Sequence, residues 1–160
     1  MSKKHIKTNA VRILETAGAD FEVRLYDSDG FTDGVTVAKK LGENVDEVYK
    51  TLVTENKAHE NFVFVVPVAK ELDLKKCAAA VGQKSLEMIS VKNITKVTGY
   101  VRGGCSPLGM KKQFITVIDV SAEPRDKIIF SGGKLGVQIK MSPRVLAYII
   151  GAEFADIARE

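Results

Sequence analysis

The most hydrophobic run in the chain is Phe62-Val63-Phe64-Val65-Val66-Pro67, and this run constrains the fold most strongly. A short run of β-branched and aromatic residues is typical of a strand. Because the run does not alternate between apolar and polar residues, we expect a central strand that is buried on both faces. The remaining elements must therefore be arranged around this strand.

Shorter patterns predict both helices and strands in the rest of the chain. Helical spacing and capping residues predict helices over residues 6–17, 35–41, 74–81, 91–97 and 143–148. Apolar runs and alternation predict extended segments over residues 21–26, 48–53, 85–88 and 114–120. A hairpin is predicted over residues 128–139, with Gly132-Gly133 at its turn. Since helices and strands follow one another without a strict βαβ rhythm, a linker or a repeat, we predict one α+β domain over residues 1–160, built around a mixed, curved sheet.

Charge and cysteine content narrow the functional class. The chain has 24 Lys and Arg against 20 Asp and Glu, a formal net charge of +4. A basic domain attracts nucleic acid, although so modest an excess does not decide the partner. Cys77 and Cys105 match no metal-ligand spacing, and no segment reads as a signal peptide or a transmembrane helix. We expect a reduced, cytoplasmic protein that uses no metal, organic cofactor or membrane partner.

A glycine-rich loop, residues 101–109, is the first candidate site and reads Val-Arg-Gly-Gly-Cys-Ser-Pro-Leu-Gly. Glycine tolerates positive φ and lets another molecule approach the backbone closely. Pro107 fixes its own φ and restricts Ser106 before it. Successive amides in such a segment can point at a carbonyl or an anion. An ordinary glycine-rich turn explains the spacing equally well, so the two interpretations stay open at this point.

Lys50 is the most informative charged residue, because its predicted strand is otherwise largely apolar. It shares a strand face with Val48 and Leu52. Lysine is rarely buried without a partner. Either the strand lies at the edge of the sheet, or Lys50 reaches into a cleft. In a cleft, its ammonium would hold a phosphate or polarise an ester carbonyl.

Other polar residues carry weaker signals. Ser131-Gly132-Gly133-Lys134 lacks the further glycine and the Ser or Thr of a phosphate-binding P-loop, and a tight hairpin is the simpler interpretation. Cys105 is a candidate nucleophile, but neither His5 nor His59 has the context of a base for it. Both histidines are expected at the surface. Lys111-Lys112 is either a solvated pair or a place where an RNA backbone approaches the loop.

Several motifs occur together and in one order along the chain. They are Val48–Val53, Gly103–Gly109 with Lys111-Lys112, Ser131–Gly133 with Gly136, and Gly151–Ile157. As an ordered set they resemble the YbaK/EbsC family of Cys-tRNA(Pro) deacylases, which are related to the editing domain of bacterial prolyl-tRNA synthetases. The resemblance implies a barrel-like mixed sheet surrounded by helices, and removal of a wrongly attached amino acid, chiefly cysteine, from tRNA(Pro).

The resemblance also implies site residues. Lys50 matches the essential lysine of the family, Tyr26 its pocket tyrosine and Ser131 its pocket serine. The loop that would hold the aminoacyl ester end contains Gly103, Gly104, Ser106, Pro107 and Gly109. In one place the chain departs from the family, because Asp33 stands where an aromatic residue usually precedes the glycine matching Gly34. Phe31 lies nearby, in a loop of different length.

The mechanism proposed for the family uses the thiol of the substrate, which attacks the ester carbonyl so that cysteine leaves as a cyclic thioester. This mechanism agrees with the lack of an evident nucleophile–base pair in the sequence. The implied partners are the acceptor end of a mischarged tRNA and a prolyl-tRNA synthetase. Two alternatives remain: a deacylase for another small amino acid such as alanine, and a tRNA-binding or regulatory module without catalysis.

Overall fold

The computed structural model describes residues 7–28 and 33–160. The helices are α1 (Asn9–Ala17), α2 (Gly34–Lys40), α3 (Leu74–Ala80), α4 (Ile94–Thr98) and α5 (Pro143–Ile150). The strands are β1 (Phe21–Leu25), β2 (Tyr49–Glu55), β3 (Asn61–Pro67), β4 (Glu87–Met88), β5 (Ile115–Asp119), β6 (Ile128–Lys134), β7 (Val137–Met141) and β8 (Glu153–Ala155). Short 3-10 turns occupy Val45–Glu47, Val91–Asn93 and Val120–Ala122. None of the described helices is long and apolar enough to cross a membrane.

Capping side chains set the ends of the main helices. The Thr8 hydroxyl accepts a hydrogen bond of 3.2 Å from the Val11 amide, so α1 starts at Asn9, later than the predicted start at residue 6. Residue 6 itself lies outside the described part. Ser142 caps α5 in the same way, and Pro143 occupies the first helical position, as predicted.

The strands form two sheets, and β3 is at the centre of the larger one. The five-stranded sheet has the order β4-β2-β3-β5-β8, in which β3 pairs antiparallel with β2 and parallel with β5. The smaller sheet is antiparallel, with the order β1-β7-β6. A parallel bridge between Val48 and Ile129 joins the two sheets. The predicted α+β class and mixed sheet are confirmed, but the described strands do not close into a barrel.

Two apolar clusters explain why β3 is so hydrophobic. Val65 packs into a cluster between the sheets, together with buried residues of α1, β6 and α5. Phe64 and Val66 point to the other face, where Leu72 and Cys77 cover them. The prediction that this strand is central and buried on both faces is therefore confirmed. Cys77 itself is a buried, packed thiol.

The hairpin differs from the predicted one in the place of its turn. Gly132 and Gly133 lie inside β6, and the turn is formed by Leu135 and Gly136. The pairing of β6 with β7 shifts between Ser131 and Lys134, so the two glycines form an irregularity in the strand, not its end. The chain reverses at Gly136, which has a φ of +89°. This position requires glycine, because an added Cβ would lie 2.9 Å from a backbone oxygen of Tyr26.

Candidate active site

A cleft of about 460 Å³ opens along one edge of β2. On this edge β2 pairs with β4 only at Thr54 and Glu55, and the bridge to β6 lies at Val48. Between these two pairings, residues 50–52 have no strand partner on that side within the described part of the chain. Four of the eight predicted site residues line the cleft, namely Tyr26, Lys50, Gly103 and Ser131.

Lys50 reaches the cleft from the middle of this open edge. Its side chain is 27% exposed, and its Nζ lies 3.5 Å from Oε2 of Glu71. The Glu71 side chain is 72% exposed, so this ion pair is weak and Glu71 does not remove Lys50 from the cleft. Both interpretations of the sequence therefore hold in part, since Lys50 lies at an open strand edge and also lines a cleft.

Asp33 adds a negative charge to the cleft wall. Its side chain caps α2 by accepting hydrogen bonds from the Val35 amide, at 3.3 Å, and the Thr36 hydroxyl, at 2.8 Å. The hydrogen bond from Thr36 lowers the pKa of Asp33 most strongly, and the positive charge of Lys50 acts in the same direction. Asp33 is therefore ionised and faces the same space as Lys50. Phe31 lies outside the described residues.

The glycine-rich loop presents Gly103 to the cleft and hides most of its other residues. Gly103 is exposed and has a φ of +83°, a conformation that favours glycine. Gly104 is buried against the hairpin, where an added Cβ would lie 3.2 Å from Cα of Lys134. Ser106 and Pro107 are buried behind it. The structure thus brings Gly103 to the cleft, whereas Gly104, Ser106, Pro107 and Gly109 do not line it.

Tyr100 holds this loop in place from beneath. Its hydroxyl donates a hydrogen bond to the carbonyl oxygen of Leu108, and its ring lies under Gly133. The Ser106 hydroxyl accepts a hydrogen bond of 3.3 Å from the Leu108 amide, which closes the bend at Pro107. These contacts explain why residues 106–109 are pinned, although they do not touch the cleft.

Replacing Gly109 with alanine is expected to lower the free energy of unfolding by about 3 kcal/mol, from left-handed backbone strain and overpacking together. An added Cβ there would lie 2.6 Å from the Tyr100 hydroxyl oxygen and 2.8 Å from Cβ of Asn9. Gly82→Ala is the matched control, because Gly82 has a φ of +69° and nothing within 4 Å of its added Cβ. Urea unfolding measures both variants, and an equal loss in the two would contradict the packing role of Gly109.

Tyr26 and Ser131 approach the cleft from β1 and β6. Tyr26 follows β1, and its amide donates a hydrogen bond of 2.9 Å to the carbonyl oxygen of Gly136. The Ser131 hydroxyl accepts a hydrogen bond of 3.1 Å from the Gly133 amide, which leaves its own proton for another acceptor. Both side chains are half-buried on the cleft wall.

Two polar residues of the cleft were missed by the sequence analysis, Thr51 and Gln138. The Thr51 hydroxyl oxygen and Oε1 of Gln138 are buried and have no hydrogen-bond partner in the described protein. Gln138 is 5% exposed, and its Nε2 donates to Oε1 of Glu43 at 3.2 Å. Arg24 holds the other oxygen of Glu43 at 3.1 Å, so the Gln138 amide is fixed with its oxygen free. No sequence signal distinguishes these side chains, because their roles depend on pairing across the sheet.

Cys105 lines the cleft as a neutral thiol. Burial raises the pKa of Cys105 to about 11, which leaves almost no thiolate at neutral pH. His59, the one histidine in the described residues, lies in the β2–β3 turn with its side chain 80% exposed and paired to Glu55. The prediction that His59 is a surface residue is confirmed, and His5 lies outside the described part. Within residues 7–28 and 33–160, no group of His, Cys, Asp and Glu side chains is arranged to hold a metal ion.

The free energy of unfolding is expected to fall as the pH rises above about 9. Burial raises the pKa of Cys105 to about 11 and those of Cys77 and Tyr100 to about 12. Above the ordinary cysteine value of 9.0, the unfolded chain releases protons that the folded chain retains, so folding is progressively disfavoured. Below that pH the contribution is fully present. Urea unfolding at pH 8, 9.5 and 10.5 measures the trend, which a Cys77→Ala, Cys105→Ala double variant should flatten.

The family of the chain follows from comparison of its sequence with known proteins. A model of the aminoacyl-tRNA editing domain matches residues 32–148. The chain belongs to the aminoacyl-tRNA editing domain family. A relative in Enterococcus faecalis (strain ATCC 700802 / V583), named as a candidate Cys-tRNA(Pro)/Cys-tRNA(Cys) deacylase, EbsC, is 41% identical over 160 residues and is matched over 98% of both chains. The predicted membership of the YbaK/EbsC family is confirmed.

Solved structures share the fold of this editing domain. A hypothetical protein has a TM-score of 0.87 at 22% identity, with 95% of this chain and 100% of that chain covered. A candidate trans-editing enzyme for prolyl-tRNA synthetase has a TM-score of 0.82 at 23% identity, with 97% and 99% covered. At these identities the similarity establishes the fold alone, and it confirms the YbaK-like architecture.

Proposed function

We propose that the protein is a trans-editing deacylase that removes cysteine from mischarged Cys-tRNA(Pro). The observation that carries this proposal is that Lys50 and the exposed backbone of Gly103 line one cleft, in which the described residues include no activated nucleophile. Such a cleft suits a reaction whose nucleophile belongs to the substrate. The name of the relative at 41% identity supports the same substrate.

In the proposed reaction, the substrate's thiol loses its proton and its sulfur attacks the carbonyl carbon of the aminoacyl ester. The bond from that carbon to the ribose oxygen breaks, and this oxygen takes up a proton, so the tRNA leaves with a free hydroxyl and cysteine leaves as a four-membered cyclic thioester. Negative charge develops on the carbonyl oxygen during the attack. Lys50 and the backbone amides near Gly103 would stabilise this charge, and the cleft would hold the sulfur close to the carbon.

The polar groups of the cleft would orient the amino acid. The free oxygens of Thr51 and Gln138 are acceptors without protein partners, and Asp33 carries a negative charge. All three suit the ammonium group of an aminoacyl ester, which needs hydrogen-bond acceptors. Val37, Ile89 and other apolar side chains line the cleft beside them and suit a small, weakly polar side chain such as that of cysteine.

The proposed reaction requires a mischarged tRNA and a partner that selects tRNA(Pro) from other tRNAs. We propose that the whole of residues 1–160 acts as one editing domain on the acceptor end, in the cytoplasm. A domain of this size would contact little of the tRNA beyond that end, so prolyl-tRNA synthetase is the proposed partner that supplies tRNA(Pro). Its part would be to present the mischarged tRNA, while the cleft described above performs the cleavage.

A panel of tRNA(Pro) charged with cysteine, alanine or proline tests the proposed specificity. We expect release of cysteine well above the spontaneous rate and little release of alanine or proline. Faster release of alanine than of cysteine would instead identify a deacylase for another small amino acid. Tight tRNA binding without turnover of any of the three would identify a non-catalytic module.

A further inference from the structure

We infer that a basic surface beside the cleft binds the phosphate backbone of the acceptor strand of the tRNA. The inference rests on the proposed function and adds the place where the RNA docks. We call this surface the basic rim, and its members are exposed cations from three segments: Lys92, Lys96, Arg102, Lys111, Lys112 and Lys134.

The charge of the basic rim is concentrated in one part of the sequence. Residues 88–118 contain five basic residues and no Asp or Glu, so this segment carries a net charge of +5. That value exceeds the net charge of +4 for the whole chain. The small excess of basic over acidic residues in the whole chain therefore includes one strongly basic segment. Electrostatic attraction of RNA depends on such a local concentration of positive charge.

Backbone contacts bring the segments of the basic rim together. The Lys111 amide donates a hydrogen bond of 3.0 Å to the carbonyl oxygen of Thr98, at the end of α4. The Lys111 side chain passes over Gly99, 3.3 Å from the position of an added Cβ. Gly104, two residues after Arg102, packs against the backbone of Lys134 in the hairpin. The cations of α4, the glycine-rich loop and the hairpin therefore lie on one continuous surface.

The same segments form a wall of the cleft. Val91 and Ile94 line it, while Lys92 and Lys96 are exposed on the same short helical stretch. Arg102 lines the mouth next to Gly103. An RNA strand that follows the exposed side of this wall can therefore place its 3′ end in the cleft.

The cations of the basic rim are not neutralised by the protein. Among the described residues none of the six forms an ion pair, in contrast to Lys7, Arg24 and Lys76, which are paired with carboxylates. Lys112 packs over the ring of Phe114, at 5.3 Å, and this contact leaves its charge uncompensated. Unpaired cations that border the cleft are suited to the phosphates of an RNA strand whose 3′ end enters it.

The test uses Lys92→Gln/Lys96→Gln and a matched control, Lys57→Gln/Lys75→Gln, which removes two exposed lysines outside the basic rim. Two probes are used. The first is a hairpin RNA that has the acceptor stem and 3′-CCA end of tRNA(Pro) but carries no amino acid. The second is cysteinyl-adenosine, a substrate that lacks the acceptor strand. For the rim variant, we expect binding to the hairpin RNA to weaken about tenfold and the slope of log affinity against log salt to fall by about two. The rate of cysteine release from cysteinyl-adenosine and the melting temperature should stay at their wild-type values.

The inference would be overturned by unchanged RNA affinity and salt slope in the rim variant, by an equal loss in the control variant, or by an equal loss on cysteinyl-adenosine. Loss of binding to prolyl-tRNA synthetase with unchanged RNA binding would assign the surface to a protein and would also overturn it. If the wild type binds the hairpin RNA through the rim but releases no cysteine, the proposed function fails and the inference stands.

Discussion

Replacing Lys50 with alanine is expected to lower kcat/KM for release of cysteine from Cys-tRNA(Pro) by about 10²–10³-fold. Loss of one group that stabilises a developing oxyanion typically costs this much. Lys50 is the cation of the cleft that lies at the unpaired edge of β2, and its ion pair with the exposed Glu71 does little to hold the fold. The melting temperature should therefore change little while the rate falls.

Two further variants sharpen the test of Lys50. Lys50→Arg keeps the charge but changes its geometry, and we expect an intermediate rate. Lys70→Ala is a matched control, because Lys70 is an exposed lysine in the loop after β3 and does not line the cleft. A wild-type kcat/KM in Lys50→Ala, or an equal decrease of kcat/KM in the Lys50 and Lys70 variants, would show that Lys50 is not a catalytic residue.

Serine on the same tRNA is expected to be released at least about 100-fold more slowly than cysteine. A thiol has a few per cent of thiolate at neutral pH, whereas a hydroxyl of nearly the same size has almost no alkoxide. The described residues offer no base that would activate the serine hydroxyl, because burial raises the pKa of Cys105 to about 11 and His59 does not line the cleft. The measurement is single-turnover release from tRNA(Pro) charged with each amino acid.

Cys105→Ala serves as the control for this chemical interpretation. If the sulfur of the substrate is the nucleophile, the variant should release cysteine within about threefold of the wild-type rate, because only a neutral packed thiol is lost. Rapid release of serine by the wild type, or loss of activity in Cys105→Ala, would show that the protein supplies the nucleophile.

The sequence predicted the fold best where a physical pattern is local. The apolar run of β3 and the Ser142-Pro143 start of α5 are examples. In both, burial or capping depends on residues that are adjacent in the sequence. The predicted position of the hairpin turn was wrong because two glycine-containing segments, each suited to a turn, lie within six residues of one another. Gly132-Gly133 has the composition of a turn, but the contacts of Thr8 and Tyr100 hold these glycines inside β6, and the chain reverses at Gly136.

The candidate site was only partly predictable, because some of its features depend on contacts between residues that are distant in the sequence. Lys50 was conspicuous because a charge interrupted an apolar strand, and Gly103 because glycines mark unusual backbone. The unpartnered oxygen of Gln138 depends on Glu43, 95 residues away in the chain, and on Arg24. A network of contacts between residues far apart in the chain cannot be predicted from the local sequence. The burial of Ser106 likewise depends on packing that the composition of the loop does not reveal.

Removal of cysteine from tRNA(Pro) in this cleft is measured by incubating Cys-tRNA(Pro) with the wild-type protein. Free tRNA and cysteine are followed over time, with and without prolyl-tRNA synthetase. We predict release well above the spontaneous rate in at least one of these two conditions, and correctly charged Pro-tRNA(Pro) should stay intact. Release of cysteine at the spontaneous rate in both conditions would show that the protein is not a Cys-tRNA(Pro) deacylase.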